Sequence, residues 1–382
     1  MIKQTRLVAG TVLLAGLTMA PLAQATDLRF ASGYPTNSIA SDALEIFESR
    51  LQEYSGGSLD VDIFELSLLN LAEASAGVRD GMADMAVVLT PYFPAEYPHT
   101  NMVAEISMSI ELSDEPMSQS GLIYTGAMSE YILFHCSECQ DEFSSQNQLF
   151  LGSASTPAYS LLCNTPVNSL ETLENKQLRT SGAMWARWAE EMGANPITMS
   201  VNEIYEGLSQ GVVDCSVQST AELSVFNLFE VVNAITLNYP GGVFSGVGVG
   251  NINKDSWQSL SKDQRQALLR AAATLSAEFS WGYDAGALEN EITAREQGID
   301  ITKPTAAMRE TNQAFIRDDL QTIADNYAER YEIQDPEAKI AKFQELLSKW
   351  EGLIDNIESG EELADLYWEE VFSRVDVASY GQ

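Results

Sequence analysis

The chain is expected to fold as α/β layers in two facing lobes, with one long helix and a helical C-terminal extension. Three observations predict this. Residues 28–89 and 178–218 each read as strand, helix, strand, helix, Gly-x-x-Asp, strand. After Ser261 the apolar residues Leu268, Leu269, Ala272, Leu275, Phe279 and Trp281 mark one long helix. Residues 305–380 are charged, rich in helix formers, and punctuated by Pro336 and Gly360.

The elements follow in order. Lys3 and Arg6, the apolar run Leu7 to Leu17, and Ala23-Gln24-Ala25 read as a cleavable export signal over residues 1–25. Leu28 to Ala31 is a strand, Gly33 to Asn37 a turn, and Ser38 the cap of a helix carrying Ala43, Ile46, Phe47, Leu51 and Tyr54. Leu59 to Phe64 alternates like a strand, and a helix over 70–79 precedes Gly81-Met82-Ala83-Asp84 and the strand Met85 to Leu89. The Pro- and aromatic-rich run Thr90 to His99 is expected to be loop. Its Thr90, Tyr92 and Phe93 leave a strand tip, where they either line a cleft or pack beneath a loop.

Residues 115–134 read as helix, and Leu149 to Ser153 as a strand crossing into the second lobe. Ala158 to Cys163 is a strand and Ser169 to Asn175 a helical linker. In the second repeat, Leu178 to Thr180 is extended, and Trp185, Trp188, Ala189 and Met192 share one helical face. Gly193 and Asn195-Pro196 stop that helix, and Ser200-x-x-Glu203 forms a capping box for the next. Val212 to Val217 is a buried strand and Ala221 to Val232 helical. The Val/Gly alternation up to Gly250 suits a close-packed strand returning to the first lobe. The aspartates of the two Gly-x-x-Asp motifs are expected to accept backbone N–H groups within their turns.

Composition narrows the function. The formal charge of −34 becomes two units more negative once Lys3 and Arg6 are removed, which excludes general nucleic-acid binding. Such a surface suits either a saline habitat or ordinary solubility. The sequence contains no Gly-x-Ser-x-Gly, no His-Glu-x-x-His and no phosphate loop, so no enzyme class and no cofactor is indicated. Cys136, Cys139, Cys163 and Cys215 favour disulfides in an exported chain, with three pairings open. Cys136-x-x-Cys139 also has the spacing of a redox motif or half a zinc site. Cys163 and Cys215 can pair only if their strands are neighbours.

One stretch carries a resemblance. Gln177-Leu178-Arg179, Gly193-Ala194-Asn195-Pro196, Thr198-Met199, Glu203-Ile204-Tyr205, Leu208 and Gln210-Gly211-Val212-Val213-Asp214 occur in the order of a long motif. It resembles that of the substrate-binding proteins of tripartite ATP-independent periplasmic (TRAP) transporters. Weaker similarity runs from Leu28 to about Gly298 and includes Trp257-x-x-Leu260. The resemblance implies a type II-like periplasmic binding protein fold whose long helix is shared by both lobes. Lobe I is expected over 26–156 and 244–285, and lobe II over 157–243 and 286–382; the tail, longer than a typical member's, reads as extra helices packed on lobe II. The resemblance also implies a periplasmic location, a small carboxylate ligand, a membrane permease as partner, and a protein acting as a monomer.

In that family an arginine at the position of Arg179 forms a salt bridge with the ligand carboxylate. A guanidinium at a strand tip, among apolar and hydroxyl neighbours, suits that task; the alternative is a structural arginine tied to an aspartate of its own lobe. Two positions depart from the pattern. Gln218 stands where the family has asparagine, and Tyr159 where the sialic-acid type has a second arginine. Trp188 is expected in the core and Trp185 in either core or pocket. Asn37, Asn238 and Tyr239 complete the candidates. A sensory subunit with the same fold, or an exported enzyme, are the alternative functions.

Overall fold

The computed structural model describes residues 25–112 and 119–382. The export signal, up to residue 24, and residues 113–118 of the expected helix over 115–134 lie outside the described residues. The first repeat forms β1 (Thr26–Ala31), α1 (Ile39–Ser55), β2 (Leu59–Phe64), α2 (Ala74–Arg79) and β3 (Met85–Leu89). Ser38 and Ser41 close a capping box at the start of α1, and Gly56 in the left-handed conformation ends it. A 3-10 turn over Thr90–Tyr92 leads to α3 (Pro98–Glu105) and a second such turn, Ile106–Leu112. The expected loop is thus half helical, because Pro98 takes the first helical position, where its missing N–H costs nothing.

Next come α4 (Ser120–Phe134), α5 (Ser137–Ser145), and the short strands β4 (Gln148–Leu149), β5 (Ser153–Ala154) and β6 (Ser160–Cys163). After α6 (Leu170–Leu173), the second repeat forms β7 (Gln177–Thr180), α7 (Ala183–Glu191), β8 (Asn195–Thr198), α8 (Ile204–Ser209) and β9 (Cys215–Gln218). The Ser200/Glu203 capping box is present, and opens a 3-10 turn that runs into α8. The expected helix over 221–232 is broken into α9 (Glu222–Val225) and a 3-10 turn, with Asn227 at positive φ between them. Then follow β10 (Ala234–Thr236), β11 (Val247–Asn253), α10 (Lys254–Ser259), α11 (Lys262–Glu296) and β12 (Asp300–Thr302). The tail is α12 (Ala306–Tyr331), α13 (Pro336–Ile354) and α14 (Gly360–Glu370).

Two sheets result. The first has the order β2-β1-β3-β11-β4, with β5 also on β11; the second has β12-β10-β6-β9-β7-β8. Residues 149–154 therefore do not cross between lobes. Both β4 and β5 pair with β11 and remain in the first sheet. The Gly-rich strand does return there, antiparallel to β3.

The repeats correspond at the level of single bonds. Asp84 Oδ2 accepts the N–H of Arg29 at 2.9 Å, and Asp214 Oδ2 accepts that of Gln177 at 2.8 Å. Each aspartate thus reaches across to the first strand of its own repeat rather than into its turn. The carboxylate satisfies an N–H that the short parallel ladder leaves unpaired.

Helix α11 has 35 residues, about 50 Å at 1.5 Å per residue, and touches both lobes. It packs on α1, α4, β5 and β11 of the first, and on α9 and β12 of the second. The expected tail packing is corrected. Helix α13 lies on α4 and α14 on α11, while Trp257 Nε1 donates to Tyr380 O at 2.9 Å. These are elements around the first sheet, while α12 also reaches α7 of the second lobe. Apolar residues of α4 are buried all round, and Trp350 of α13 covers Gly126 on one side, so the tail completes the first lobe's core.

Both cysteine pairs are disulfide-bonded. Cys136–Cys139 sits at the start of α5, and Cys163–Cys215 joins β6 to β9, where the two residues are directly opposed.

Candidate functional site

Strand β7 delivers Arg179 to the carboxyl end of the second sheet, facing the first lobe. Its side chain is buried, with the residue 1% exposed. Nε donates to Met199 O at 3.1 Å and Nη2 to Tyr92 Oη at 3.3 Å. Tyr92 follows β3 of the first lobe, and its Oη also accepts the N–H of Val201 at 2.9 Å. The tyrosine thus spans the crevice and ties both lobes at the arginine. Among the described residues, no carboxylate lies within ion-pairing distance of Arg179, so the alternative of an arginine tied to its own lobe's aspartate is not what the structure places there.

Arg179 lines a cavity of about 20 Å³ with Tyr34, Tyr92, Tyr159, Glu222 and Tyr283. That is room for about one water molecule. Beside it, a cleft of about 670 Å³ opens between the lobes, and shares Tyr92, Ser181 and Phe244 with the cavity. Trp185 forms part of that larger wall. Its ring stacks on Tyr159 at 4.5 Å between centroids, with Phe244 at 6.2 Å from each, and its Nε1 donates to Gly241 O at 3.1 Å. The indole is therefore both anchored and on the cleft. Trp188 is in the core, edge-on to Tyr239.

The remaining candidates fall elsewhere. Tyr239 is fully buried against Trp188 and Met192. Thr90 Oγ1 is bonded to Asn101 Oδ1 at 3.0 Å and to Gly246 O at 2.8 Å, which occupies it in packing. Gly246 has φ +77°, and a β-carbon there would lie 2.5 Å from that hydroxyl. Asn37 and Asn238 are exposed turn residues at positive φ, and line neither cavity. Gln218 ends β9, buried, with Oε1 accepting from Ser216 at 3.0 Å; it too lines neither cavity. Of the loop residues, Tyr92 lines both spaces and Phe93 the larger.

The sequence reading missed Glu222. It is 5% exposed, lines the small cavity, and its Oε2 has no hydrogen-bond partner among the described groups. Burial pushes its carboxyl up to about 8, although the nearby positive charge of Arg179 pulls the other way. A signal existed: Glu222 is the one charged residue between Asp214 and Glu230. Tyr34 and Tyr283 were missed as well. Both hydroxyls are held far above their ordinary range, first by burial and then by the Glu222 charge.

Among the described residues, no cluster of three His, Cys, Asp or Glu side chains is placed to hold a metal. Nor is any helix long and apolar enough to cross a membrane.

The two-lobed fold, with a buried guanidinium in its crevice, can be set beside known proteins. The model of the DctP family, bacterial extracellular solute-binding protein family 7, matches residues 30–328. The chain belongs to that family. A solute-binding protein of Sulfitobacter sp. (strain NAS-14.1) is 24% identical over 335 residues, covering 85% of this chain and 94% of its own. Among solved structures, a marine metagenome TRAP solute-binding protein specific for aromatic acids, in complex with 3-hydroxybenzoate, superposes with a TM-score of 0.73. It is 18% identical, over 86% of this chain and 99% of the other. A TRAP periplasmic solute-binding protein from Bordetella bronchiseptica with bound mandelate gives 0.70 at 21% identity, over 85% and 99%.

Proposed function

We propose that this protein is the periplasmic receptor of a TRAP transporter. It binds a small organic acid through a salt bridge from Arg179 and delivers it unaltered to a membrane permease. One observation carries this reading: a buried guanidinium at a strand tip, inside the interlobe crevice, with no carboxylate of the described chain paired to it. A buried unpaired cation is costly, and a ligand carboxylate relieves that cost with two parallel hydrogen bonds. The mandelate and 3-hydroxybenzoate bound by the neighbours are small carboxylates, which supports the same ligand class. Hinge closure of the lobes would strengthen the pair by excluding water.

The test is Arg179→Ala, titrated by calorimetry with whichever acid of an organic-acid panel stabilises the wild type against heat. The affinity is expected to fall at least about tenfold, since a hydrogen bond to a charged group contributes about 1.5–3 kcal/mol. Unchanged affinity would remove the arginine from this role.

A further inference from the structure

The small cavity is lined by a guanidinium and a carboxyl group that do not touch. Arg179 enters from β7, while Glu222 enters from the turn after β9. That turn is rigidly held. Asn290 of α11 donates through Nδ2 to Thr220 O and Ala221 O, each at 2.9 Å, and lies 3.0 Å from Ser224 Oγ. The carboxylate is therefore aimed into the cavity by the helix that both lobes share. Tyr34, Tyr159 and Tyr283 surround it, and none of them neutralises it. Tyr283 approaches Glu222, but its hydroxyl and Glu222 Oε2 are both without a hydrogen-bond partner.

A ligand that brought only a carboxylate to Arg179 would leave the buried Oε2 of Glu222 without a partner and keep that carboxyl from ionising, since two like charges in one low-dielectric space cannot both ionise cheaply. A ligand carrying its own cation beside the carboxylate meets both groups and leaves the site neutral. The overall charge of −34 adds a second argument. It repels anions at long range, whereas a molecule of zero net charge is exempt.

Resting on the receptor reading above, we propose that the ligand is a small zwitterion, an amino or imino acid. Its carboxylate meets Arg179 and its ammonium meets Glu222. Because burial holds Glu222 up to about 8, the carboxyl is largely protonated at neutral pH, and pairing with a ligand cation ionises it. Binding therefore releases a proton.

The experiment compares matched pairs on the mature protein by calorimetry: L-proline with cyclopentanecarboxylate, and L-phenylalanine with 3-phenylpropanoate. For at least one pair, the amino member is expected to bind at least about tenfold more tightly. Titration of that member at pH 7 in two buffers of different ionisation enthalpy should report a released proton. In Glu222→Gln the preference should shrink below about threefold; if that variant does not fold, the wild-type pairs and the proton count decide alone. Should the desamino acids bind as well as the amino acids, and still need Arg179, the zwitterion is overturned and the receptor reading stands. If no member of either pair binds, the zwitterion is overturned. If the acids that do bind are indifferent to Arg179→Ala, both readings fall.

Discussion

At the scale of single residues, burial takes the chemistry of Glu222 far from its ordinary state. In the unfolded chain a glutamate titrates near 4.3, and burial raises it here to about 8. Between those values the folded protein holds one proton more than the unfolded chain. The contribution of Glu222 to stability therefore falls as pH rises from about 4.5 to 8, and levels off above. The groups facing it are Arg179, whose charge opposes the shift, and Tyr34, Tyr159 and Tyr283, all held too high to titrate in this window. Glu222→Gln removes the effect. Its melting temperature relative to wild type should rise steadily between pH 5 and pH 8, measured in parallel thermal melts. A constant gap across that range would mean that the carboxyl is hydrated and normal.

At the scale of elements, the two disulfides differ in what they constrain. Cys163–Cys215 closes a loop with a sequence separation of 52, Cys136–Cys139 one of 3. The chain-entropy argument assigns about 4 kcal/mol to the first and about 2 kcal/mol to the second. Replacing Cys163 and Cys215 by serine should lower the urea midpoint clearly more than replacing Cys136 and Cys139; equal losses would contradict the loop-length argument. The strands themselves were readable from period-two patterns and turn residues, but their pairing was not. Four cysteines in sequence allow three connectivities, and only the neighbourhood of β6 and β9 selects one. Helix α5 escaped notice because its residues are polar, and its start rests on Cys136 as a cap.

At the scale of the whole molecule, Arg187 of α7 joins three parts of the chain. Nε and Nη2 pair with Asp319 of α12 at 2.6 and 2.9 Å, and Nη2 with Glu105 of α3 at 3.0 Å. Tyr327 Oη donates to the other oxygen of Glu105 at 2.6 Å. Burial alone would lower the arginine's pKa; the two carboxylates outweigh it and raise it. The cluster fastens the second lobe to the first and to the tail, on the rim of the larger cleft, which Glu105 helps to line. Arg187→Ala leaves two largely buried acids facing each other, and is expected to cost about 3 kcal/mol in chemical denaturation. A loss below about 1 kcal/mol would show that the acids find water instead.

Local signals disclosed the order of strands and helices, the caps at Ser38 and Ser200, and the strand-tip position of Arg179. These depend on neighbours a few residues away, through periodicity and orphan backbone groups. Contacts across the chain left no such trace. Arg179 meets Tyr92 from 87 residues away and Arg187 meets Asp319 from 132, so the cavity wall, the partner of each charge and the seat of the tail emerged only on folding. Glu222 illustrates the division. Its charge stood out in an apolar stretch, but the direction in which it points was set by Asn290 on a helix some 70 residues later.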